Sequence, residues 1–341
     1  MRKLLIPFSF FYWIGVTLRN WFFDRGIFRT TFFAVPVVSV GNISAGGSGK
    51  TPLVEMLIRR FSESRTVAVV SRGYKRISSG QVVVSDRSGI HAQVEHTGDE
   101  LSQVAQKFPG IIVIADAVRV RGAQKAIELG AEVIILDDGF QHRALGRSSN
   151  IVVVTAEELL KGDFLLPAGN RREPLSSLQR ADLIAITRCA GKEDYERALA
   201  VVSDFQKPVV GMRVNVRALR DASTGREIAM QSVMQKKAVL FSGIGNPESF
   251  ERTVEELGVV ILEHKVFQDH YWYDEHDMQV ILGDLAGRKA ELLLTTEKDF
   301  MRLRRRSGIF SVINLPVLIV EIEQQVLYGS GIIDSLLQHI G

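Results

Sequence analysis

The chain has 341 residues, of which 46% are hydrophobic and 24% charged, and its formal net charge is +3. This composition is typical of a folded protein with a sizeable core, and the length favours two domains. The small net charge argues against a nucleic-acid binder with a broad basic face. The single cysteine, Cys189, excludes an intrachain disulfide and fits a reducing compartment. Because it follows an apolar run, we expect it to pack in the core.

Aromatic residues are concentrated near the N-terminus, with eleven between Phe8 and Phe33. The uncharged run 4–18 is shorter than the roughly 20 residues that span a bilayer, and no small-residue cleavage site follows it as in a signal peptide. The pattern favours an amphipathic helix in a membrane interface, with a helix packed on the protein's own core as the alternative. On a helical wheel, a polar strip (Ser9, Thr17, Asn20 and Asp24) lies opposite an apolar face (Leu4, Phe8, Phe11, Gly15, Leu18 and Phe22).

Short apolar runs alternate with helical segments along the rest of the chain. Such fully apolar strands between helices predict an α/β fold with a parallel sheet covered on both faces. The predicted strands are 35–40, 67–71, 111–115, 133–136, 151–155 and 183–187, then 209–216, and finally 239–242, 259–262, 292–295 and 317–322. We therefore predict an N-terminal helix (1–30), a larger domain (31–206), a linker strand (207–218) and a smaller α/β domain (219–341).

The most specific motif is the glycine-rich stretch 41–52, which lies between a predicted strand and a predicted helix. In a P-loop, glycines let backbone N–H groups and a helix N-terminus cradle phosphate oxygens. Lys50 is expected to reach the β- and γ-phosphates of a nucleotide, and the Thr51 hydroxyl to bind magnesium. Ser44 stands where the generic motif has its first glycine. The predicted nucleotide-binding residues are Ser44, Ala45, Gly46, Gly47, Ser48, Gly49, Lys50 and Thr51.

A second magnesium anchor is predicted at Asp137 and Asp138, which end the apolar strand 133–136. This is the Walker B pattern, with carboxylates at the carboxyl end of a buried strand, where ligands bind in open α/β sheets. The alternative is a pair of helix-capping carboxylates before Gly139. We favour the metal site, which makes 31–206 a P-loop domain of the nucleoside triphosphatase type.

With these motifs in order, the chain resembles the tetraacyldisaccharide 4′-kinase family, the lipid A 4′-kinases of Gram-negative bacteria. The resemblance covers nearly the whole chain behind its aromatic N-terminal segment. It rests on the segments 41–52 (GNISAGGSGKTP), 71–76 (SRGYKR), 98–100 (GDE), 136–143 (LDDGFQHR), 167–174 (LPAGNRREP), 269–273 (DHYWY) and 295–303 (TTEKDFMRL).

The resemblance implies transfer of the ATP γ-phosphate to the 4′-hydroxyl of a tetraacylated disaccharide 1-phosphate. The product would be lipid IVA, in lipid A and lipopolysaccharide biosynthesis. ATP and Mg²⁺ are the implied cofactors, and the cytoplasmic face of the inner membrane is the implied location, with peripheral attachment through the N-terminal helix. We expect a monomer with a lipid disaccharide substrate and no nucleic-acid partner.

The family pattern also implies roles for individual residues. Asp99 matches a catalytic aspartate and His270 a histidine that partners it, with Lys50 serving the transferred phosphate. Because Asp99 and His270 fall in different predicted domains, we hypothesise that domain closure assembles the pair. Arg171 takes the place of a leucine in the usual pattern. The candidates for substrate and phosphate contacts are Arg72, Glu100, Arg119, His142, Arg143, Arg172 and Glu173, where arginine suits bidentate phosphate recognition and a surface ion pair is the alternative.

Two other functions remain open from the sequence. One is a membrane-attached ATPase or GTPase switch, which would hydrolyse nucleotide without a lipid acceptor. The guanine-reading pattern [NT]-K-x-D is not matched, because Thr296–Asp299 carries its lysine one position late. The other is a soluble small-molecule kinase whose N-terminal helix belongs to the core.

Overall fold

The computed structural model describes residues 2–74, 76–92, 94–189, 191–303 and 315–340. It divides into two compact units, the first formed by Met1–Val214 and Gln324–Gly341 and the second by Asn215–Glu323. The strands are β1 (Val37–Asn42), β2 (Val67–Ser71), β3 (Val82–Asp86), β4 (Gly89–Ile90), β5 (Ile112–Ala115), β6 (Val133–Asp137), β7 (Ser149–Thr155), β8 (Leu183–Thr187), β9 (Val209–Asp221), β10 (Glu227–Ile228), β11 (Lys237–Ser242), β12 (Val260–Val266), β13 (Leu292–Thr296) and β14 (Val317–Tyr328).

The α-helices lie mostly between these strands, as the sequence predicts for an α/β protein. They are α1 (Ile6–Asp24), α2 (Lys50–Ser62), α3 (Val94–Thr97), α4 (Asp99–Lys107), α5 (Arg119–Glu128), α6 (Ala156–Lys161), α7 (Lys192–Val202), α8 (Pro247–Glu255), α9 (Glu275–Arg288), α10 (Glu297–Leu303) and α11 (Ser330–His339).

The sheet of the first unit runs in the order β9-β8-β7-β1-β6-β2-β5-β3-β4. From β9 to β5 all pairs are parallel, which confirms the predicted parallel sheet, and β3 and β4 add an antiparallel edge that the sequence analysis missed. Every residue of β1, β2, β6, β7 and β8 is buried. Helices cover both faces, because α2 packs on Val38 and Val40 while Ala123 and Ala126 of α5 pack on the opposite face. The lone cysteine is buried, as predicted.

The position of β1 fixes where chemistry can occur in this unit. It lies between β6 and β7, and Val40 pairs with Asp137 in the parallel register. The loop after β1 and the carboxylates at the end of β6 therefore leave the sheet at the same edge. This edge holds the carboxyl ends of the strands, where open α/β sheets bind ligands.

In the second unit the strands run in the order β12-β11-β13-β14 with parallel pairing, and β10 pairs antiparallel with β9. Its helix α8 begins after Asn246, whose side chain accepts from Ser249 N and caps the helix. Leu240 and Phe241 on opposite faces of β11 belong to two separate apolar clusters.

The C-terminal residues 324–341 lie in the first unit, whereas the sequence analysis assigned everything after 219 to the second domain. Ile333 and Leu337 of α11 belong to the same core cluster as Leu183 and Val210, and Tyr328 stacks on Tyr195 at 4.5 Å. This long-range packing leaves no signal in local periodicity. From Val209 onward the predicted linker 207–218 also belongs to β9, which pairs with β8.

Helix α1 buries Ser9, while much of its apolar surface is exposed. Phe8 is 61% exposed and Phe11 69%. Trp13 and Trp21, which lie outside the predicted apolar face, are also exposed, so the apolar surface is wider than the helical wheel indicated. Across the part of the chain that the structure describes, no helix has both the length and the apolarity needed to cross a membrane.

Candidate functional site

The loop between β1 and α2 is held from outside by side-chain donors to three consecutive carbonyl groups. Arg188 donates to the carbonyl of Gly47, Thr187 Oγ1 to that of Ser48 at 2.7 Å and Gln324 Nε2 to that of Gly49 at 3.1 Å. In a planar trans peptide the next N–H points opposite to the carbonyl. The N–H groups of residues 48–50 therefore face away from these donors, which is the arrangement that an anion-binding loop requires.

Gly49 suits the end of this loop chiefly because of its backbone conformation. Its φ is +86°, in the left-handed region, and a Cβ there would lie 2.6 Å from Gln324 Nε2. Lys50 then begins α2, so the helix N-terminus and the lysine lie beside the loop. Ser48 is buried and accepts from Asn42 Nδ2 at 3.1 Å, whereas Ala45, Gly46 and Gly47 are exposed.

Ser44 replaces the first glycine of the generic motif. Its side chain makes a contact inside the protein and does not face the open side of the loop. It is buried and its hydroxyl donates to Glu158 of α6. Arg171 Nε lies 3.7 Å from the same carboxylate, and Ala45 N donates to Asn170 O at 2.8 Å. Ser44 and Arg171 therefore anchor the start of the loop, which gives Arg171 a structural role.

The two carboxylates after β6 differ in charge environment. Burial raises the pKa of Asp137 to about 6, and the charges of Glu100 and Asp138 act in the same direction. Burial opposes ionisation of Asp138 too, but Lys50 and Arg172 outweigh it and lower the pKa. Lys50 Nζ lies 3.7 Å from Asp138 Oδ1, and Arg172 Nη1 lies 2.9 Å from Oδ2. Lys50 also lowers the pKa of Asp137, but burial and the two neighbouring carboxylates outweigh it, whereas Asp138 contacts both Lys50 and Arg172.

Asp99 is the first residue of α4, where the helix dipole favours a negative charge. It is 5% exposed, and its Oδ1 accepts from Glu100 N at 3.0 Å. Gly98 precedes it with a φ of +86°, and a Cβ there would lie 2.8 Å from Tyr74 O. The close approach that Gly98 permits brings the predicted segments 71–76 and 98–100 together.

Positive charge surrounds this carboxylate cluster. Arg119 is 2% exposed, with Nη1 donating to Asp116 O at 2.9 Å, and its burial lowers its pKa to about 10 against the charges of Asp137 and Asp138. Arg72 is exposed and contributes positive charge at Arg119. Arg119 and Arg72 are therefore available to compensate anionic groups here.

His142 is half-buried among these arginines and gives a pH prediction. Burial, followed by the charges of neighbouring arginines led by Arg119, lowers the pKa of His142 to about 4. The unfolded chain takes up the proton near pH 6.5 and the folded protein does not, so stability falls as the pH drops from 6.5 towards 4. Replacing His142 with Gln is expected to recover roughly 2 kcal/mol of this loss at pH 4.5. Urea unfolding at pH 7.5 and 4.5 measures it, and equal losses in both proteins would contradict the assignment.

Two of the predicted substrate contacts are occupied by the N-terminal helix. Arg143 donates to Asn20 O at 2.9 Å and to Asp24 Oδ1 at 2.6 Å, and it lies over the Phe23 ring at 5.2 Å. Glu173 has no exposed surface and accepts from Arg180 at 2.5 Å. The structure therefore holds the Arg143 and Glu173 side chains in internal contacts, whereas Arg172 and Glu100 lie beside Asp137 and Asp138.

His270 lies in the second unit and Asp99 in the first, so their pairing stays a prediction. The backbone of His270 has a φ of +63°, and its N–H donates to Gly243 O at 2.9 Å. Gly243 is held in turn by Asp299 Oδ1, which accepts from Gly243 N at 2.8 Å, and by Arg302, which donates to Gly243 O at 2.9 Å. A buried ion pair thus fixes the segment that presents His270.

Sequence reasoning missed the residues that hold the loop carbonyls. Thr187 ends β8, two strands from β1, and Arg188 follows it, so their place at the carboxyl edge of the sheet was a usable signal. Gln324 gave no such signal, because it lies within a strand that appeared to belong to the second domain. No group of three or more His, Cys, Asp and Glu side chains in the described ranges is arranged to hold a metal ion.

Comparison with known proteins gives one consistent result. The family described as LpxK, tetraacyldisaccharide-1-P 4′-kinase, matches residues 1–340. The tetraacyldisaccharide 4′-kinase of Syntrophus aciditrophicus is 37% identical, covering 95% of this chain and 89% of the relative, and that of Flavobacterium johnsoniae is 32% identical, covering 100% and 98%. The crystal structure of LpxK from Aquifex aeolicus in complex with ATP superposes with a TM-score of 0.79 at 32% identity, covering 99% of each chain. The chain belongs to the tetraacyldisaccharide-1-P 4′-kinase family, which confirms the resemblance found in the sequence.

Proposed function

We propose that this protein transfers the γ-phosphate of ATP to the 4′-hydroxyl of a tetraacyldisaccharide 1-phosphate, giving lipid IVA for lipid A and lipopolysaccharide biosynthesis. Family membership supports the reaction, and the ATP in the Aquifex aeolicus relative supports the phosphate donor. The observation that carries the proposal is the loop 44–50, whose carbonyls at residues 47–49 are all bonded from outside. Residues 44–51 bind the nucleotide, with Lys50 at the β- and γ-phosphates.

The residues beside the loop fit a magnesium ion that accompanies the nucleotide. Magnesium is usually held by one or two carboxylates together with waters and substrate phosphates, so a cage of three protein carboxylates is not needed. Asp137 and Asp138 provide that pair, and Thr51 provides a hydroxyl on α2. Burial first, and then the charges of Glu100 and Asp138, raise the pKa of Asp137, and a bound cation would offset those charges. When bound, the ion neutralises charge that develops on the phosphates during transfer.

Asp99 is the proposed proton acceptor. The substrate 4′-oxygen forms a bond to the γ-phosphorus, the bond from that phosphorus to the β,γ-bridging oxygen breaks, and ADP leaves. The hydroxyl proton passes to the Asp99 carboxylate. His270 is the proposed partner that orients this carboxylate and shares the proton. If His270 acts through Asp99, replacing both residues should lower turnover by less than the product of the two single losses in a double-mutant cycle.

Substrate contacts are proposed for Arg72, Glu100, Arg119, His142 and Arg172, which surround the carboxylate cluster. Arginine forks suit phosphate oxygens, and the acceptor carries a 1-phosphate. Arg143 and Glu173 are proposed to support the site from α1 instead. The exposed aromatic and aliphatic side chains of α1 support peripheral attachment to the cytoplasmic face of the inner membrane. We expect the protein to act as a monomer.

The test is incubation of the purified protein with γ-labelled ATP and the disaccharide 1-phosphate lipid in mixed micelles. Label is expected in the lipid, and lipid lacking a free 4′-hydroxyl is the control. Release of labelled phosphate in the absence of any lipid would instead indicate an ATPase switch. Comparable transfer to a soluble, acyl-free disaccharide would indicate a small-molecule kinase that does not use the membrane surface.

Gln324→Ala is expected to weaken ATP binding, because it removes the donor that holds the Gly49 carbonyl. Such a hydrogen bond contributes about 0.5–1.5 kcal/mol, so the Kd for ATP should rise by roughly 2- to 12-fold. Equilibrium titration with a fluorescent ATP analogue measures it. Gln338→Ala, an exposed glutamine on α11, is the matched control. An unchanged Kd for Gln324→Ala would contradict the role of the bonded carbonyls.

A further inference from the structure

The Glu173 carboxylate is buried between the N-terminal helix and the body of the first unit. It has no exposed surface. Its Oε2 accepts from Asn20 Nδ2 at 2.9 Å and from Arg180 Nη2 at 2.5 Å, and Arg19 Nη2 lies 3.7 Å from Oε1. Oε1 has no hydrogen-bond donor among the described residues. A buried charge with so few donors is sensitive to the loss of any one of them.

Two further residues of α1, Ser9 of the polar strip and Tyr12, contact the same segment. Ser9 Oγ donates to Leu165 O at 2.8 Å and accepts from Ala168 N at 3.1 Å. Tyr12 donates its hydroxyl to Arg172 O at 3.1 Å. The segment 165–173 is therefore bonded to α1 along its length, while the aromatic face of the helix stays exposed.

The segment that α1 holds also carries an active-site arginine. Arg172 N and Glu173 N both donate to Ile43 O, at 2.7 and 3.1 Å, immediately before the phosphate loop. The Arg172 guanidinium donates to both oxygens of Asp138, at 3.2 and 2.9 Å. One peptide bond therefore separates the carboxylate that α1 holds from the arginine that contacts Asp138.

We propose that α1 is a positioning element of the kinase site as well as its membrane-facing surface, with Asn20 and Glu173 as positioning residues that hold Arg172 against Asp138. This inference rests on the proposed function. A helix seated in the membrane interface would then fix Arg172 at the site through the same contacts. Asn20 is the most specific point at which to break this connection, because it lies on the polar strip and its amide bonds Glu173 directly.

The experiment compares Asn20→Ala with Thr17→Ala, a polar residue on the same helix whose side chain is exposed. Turnover and KM are measured with ATP and the lipid acceptor in micelles. Binding is measured on vesicles of phosphatidylethanolamine and phosphatidylglycerol, and amide hydrogen exchange is followed at residues 172 and 173. For Asn20→Ala we expect kcat about tenfold lower, faster exchange at both amides and unchanged vesicle binding. Thr17→Ala should match the parent protein in all three.

A double-mutant cycle with Arg172→Lys tests whether Asn20 acts through Arg172. If it does, Asn20→Ala should lower kcat by less than twofold once Arg172 has been replaced. Additive losses, or exchange at residues 172 and 173 that is unchanged in Asn20→Ala, would overturn the inference. The exchange measurement needs no substrate. A parent protein that transfers no label would therefore refute the proposed function, while accelerated exchange would still establish the connection to Arg172.

Discussion

Asp99→Asn is expected to lower turnover by roughly 10²- to 10⁴-fold, because it removes the proposed acceptor of the proton from the attacking hydroxyl. Asparagine has nearly the same shape and can still accept from Glu100 N at the start of α4. The phosphate loop is built from other elements, so ATP binding should stay within about twofold of the parent protein. Single-turnover transfer of label to the lipid separates the chemical step from product release.

The control for this variant is Asp204→Asn, which neutralises an exposed carboxylate outside the site. It should leave both turnover and ATP binding unchanged. Near-normal single-turnover rates for Asp99→Asn would remove Asp99 from the mechanism. A parallel loss of ATP affinity would instead assign it to nucleotide binding.

The second large effect is a loss of stability, and it is expected in the second unit, where the Asp299 side chain is fully buried. Its carboxylate accepts from Gly243 N at 2.8 Å, from the Tyr273 hydroxyl at 2.7 Å and from Arg302 Nη2 at 2.6 Å. Burial and the negative charge of Asp299 raise the pKa of Tyr273, which keeps its phenol protonated as a donor. Arg302 is itself buried, so removing Asp299 leaves an uncompensated charge inside the protein.

Asp299→Ala is expected to lower the free energy of unfolding of the second unit by about 3–5 kcal/mol, as for other broken buried ion pairs. Chemical denaturation, followed by exchange of amides in β11 and β13, measures the loss. The control is Glu227→Ala, which removes an exposed partner of Arg220 and should change stability by less than about 0.5 kcal/mol. A loss below about 1 kcal/mol for Asp299→Ala would contradict the buried-pair assignment.

The same variant bears on His270. Gly243 O accepts from both His270 N and Arg302, so loss of Asp299 loosens the segment that presents the histidine. We expect turnover of the folded fraction to fall with ATP affinity retained. The predicted segment 295–303 thereby gains a physical role as support for 269–273, although nothing in its residue types pointed to one.

The strands of the first unit were readable from the sequence because each is a short, fully apolar run between helices. β2 and β8 have the predicted ends, and β6 extends the prediction by one residue to Asp137. The edge strand β4 was missed because it has only two residues, and β3 because its apolar run ends after three residues, Val82–Val84, and polar residues follow. The C-terminal helix α11 was assigned to the wrong unit, because its packing partners lie more than a hundred residues away in the chain.

The predicted phosphate-binding loop likewise combines features that the local sequence predicts with contacts that depend on the tertiary structure. Glycine spacing and the lysine at the helix start follow from local backbone chemistry, so residues 44–51 could be named from sequence. The donors that hold the loop carbonyls come from β8 and β14, and no local pattern reports such contacts. Ser44 appeared to be a weakness of the motif, whereas its hydroxyl anchors the loop to Glu158.

By itself, the sequence determined the parallel α/β architecture and the family, and it predicted the phosphate-binding loop and the carboxylates Asp137 and Asp138, because each depends on residues close together in the chain. Only the tertiary structure decided which charged residues face the site and which support it. Glu173 and Arg143 have the residue types of ligand contacts, but burial and the docking of α1 commit them to internal pairs. The role of a charged side chain depends on its partners. Those of Arg143 lie on α1, more than a hundred residues away in the chain, and those of Glu173 lie on α1 and at Arg180.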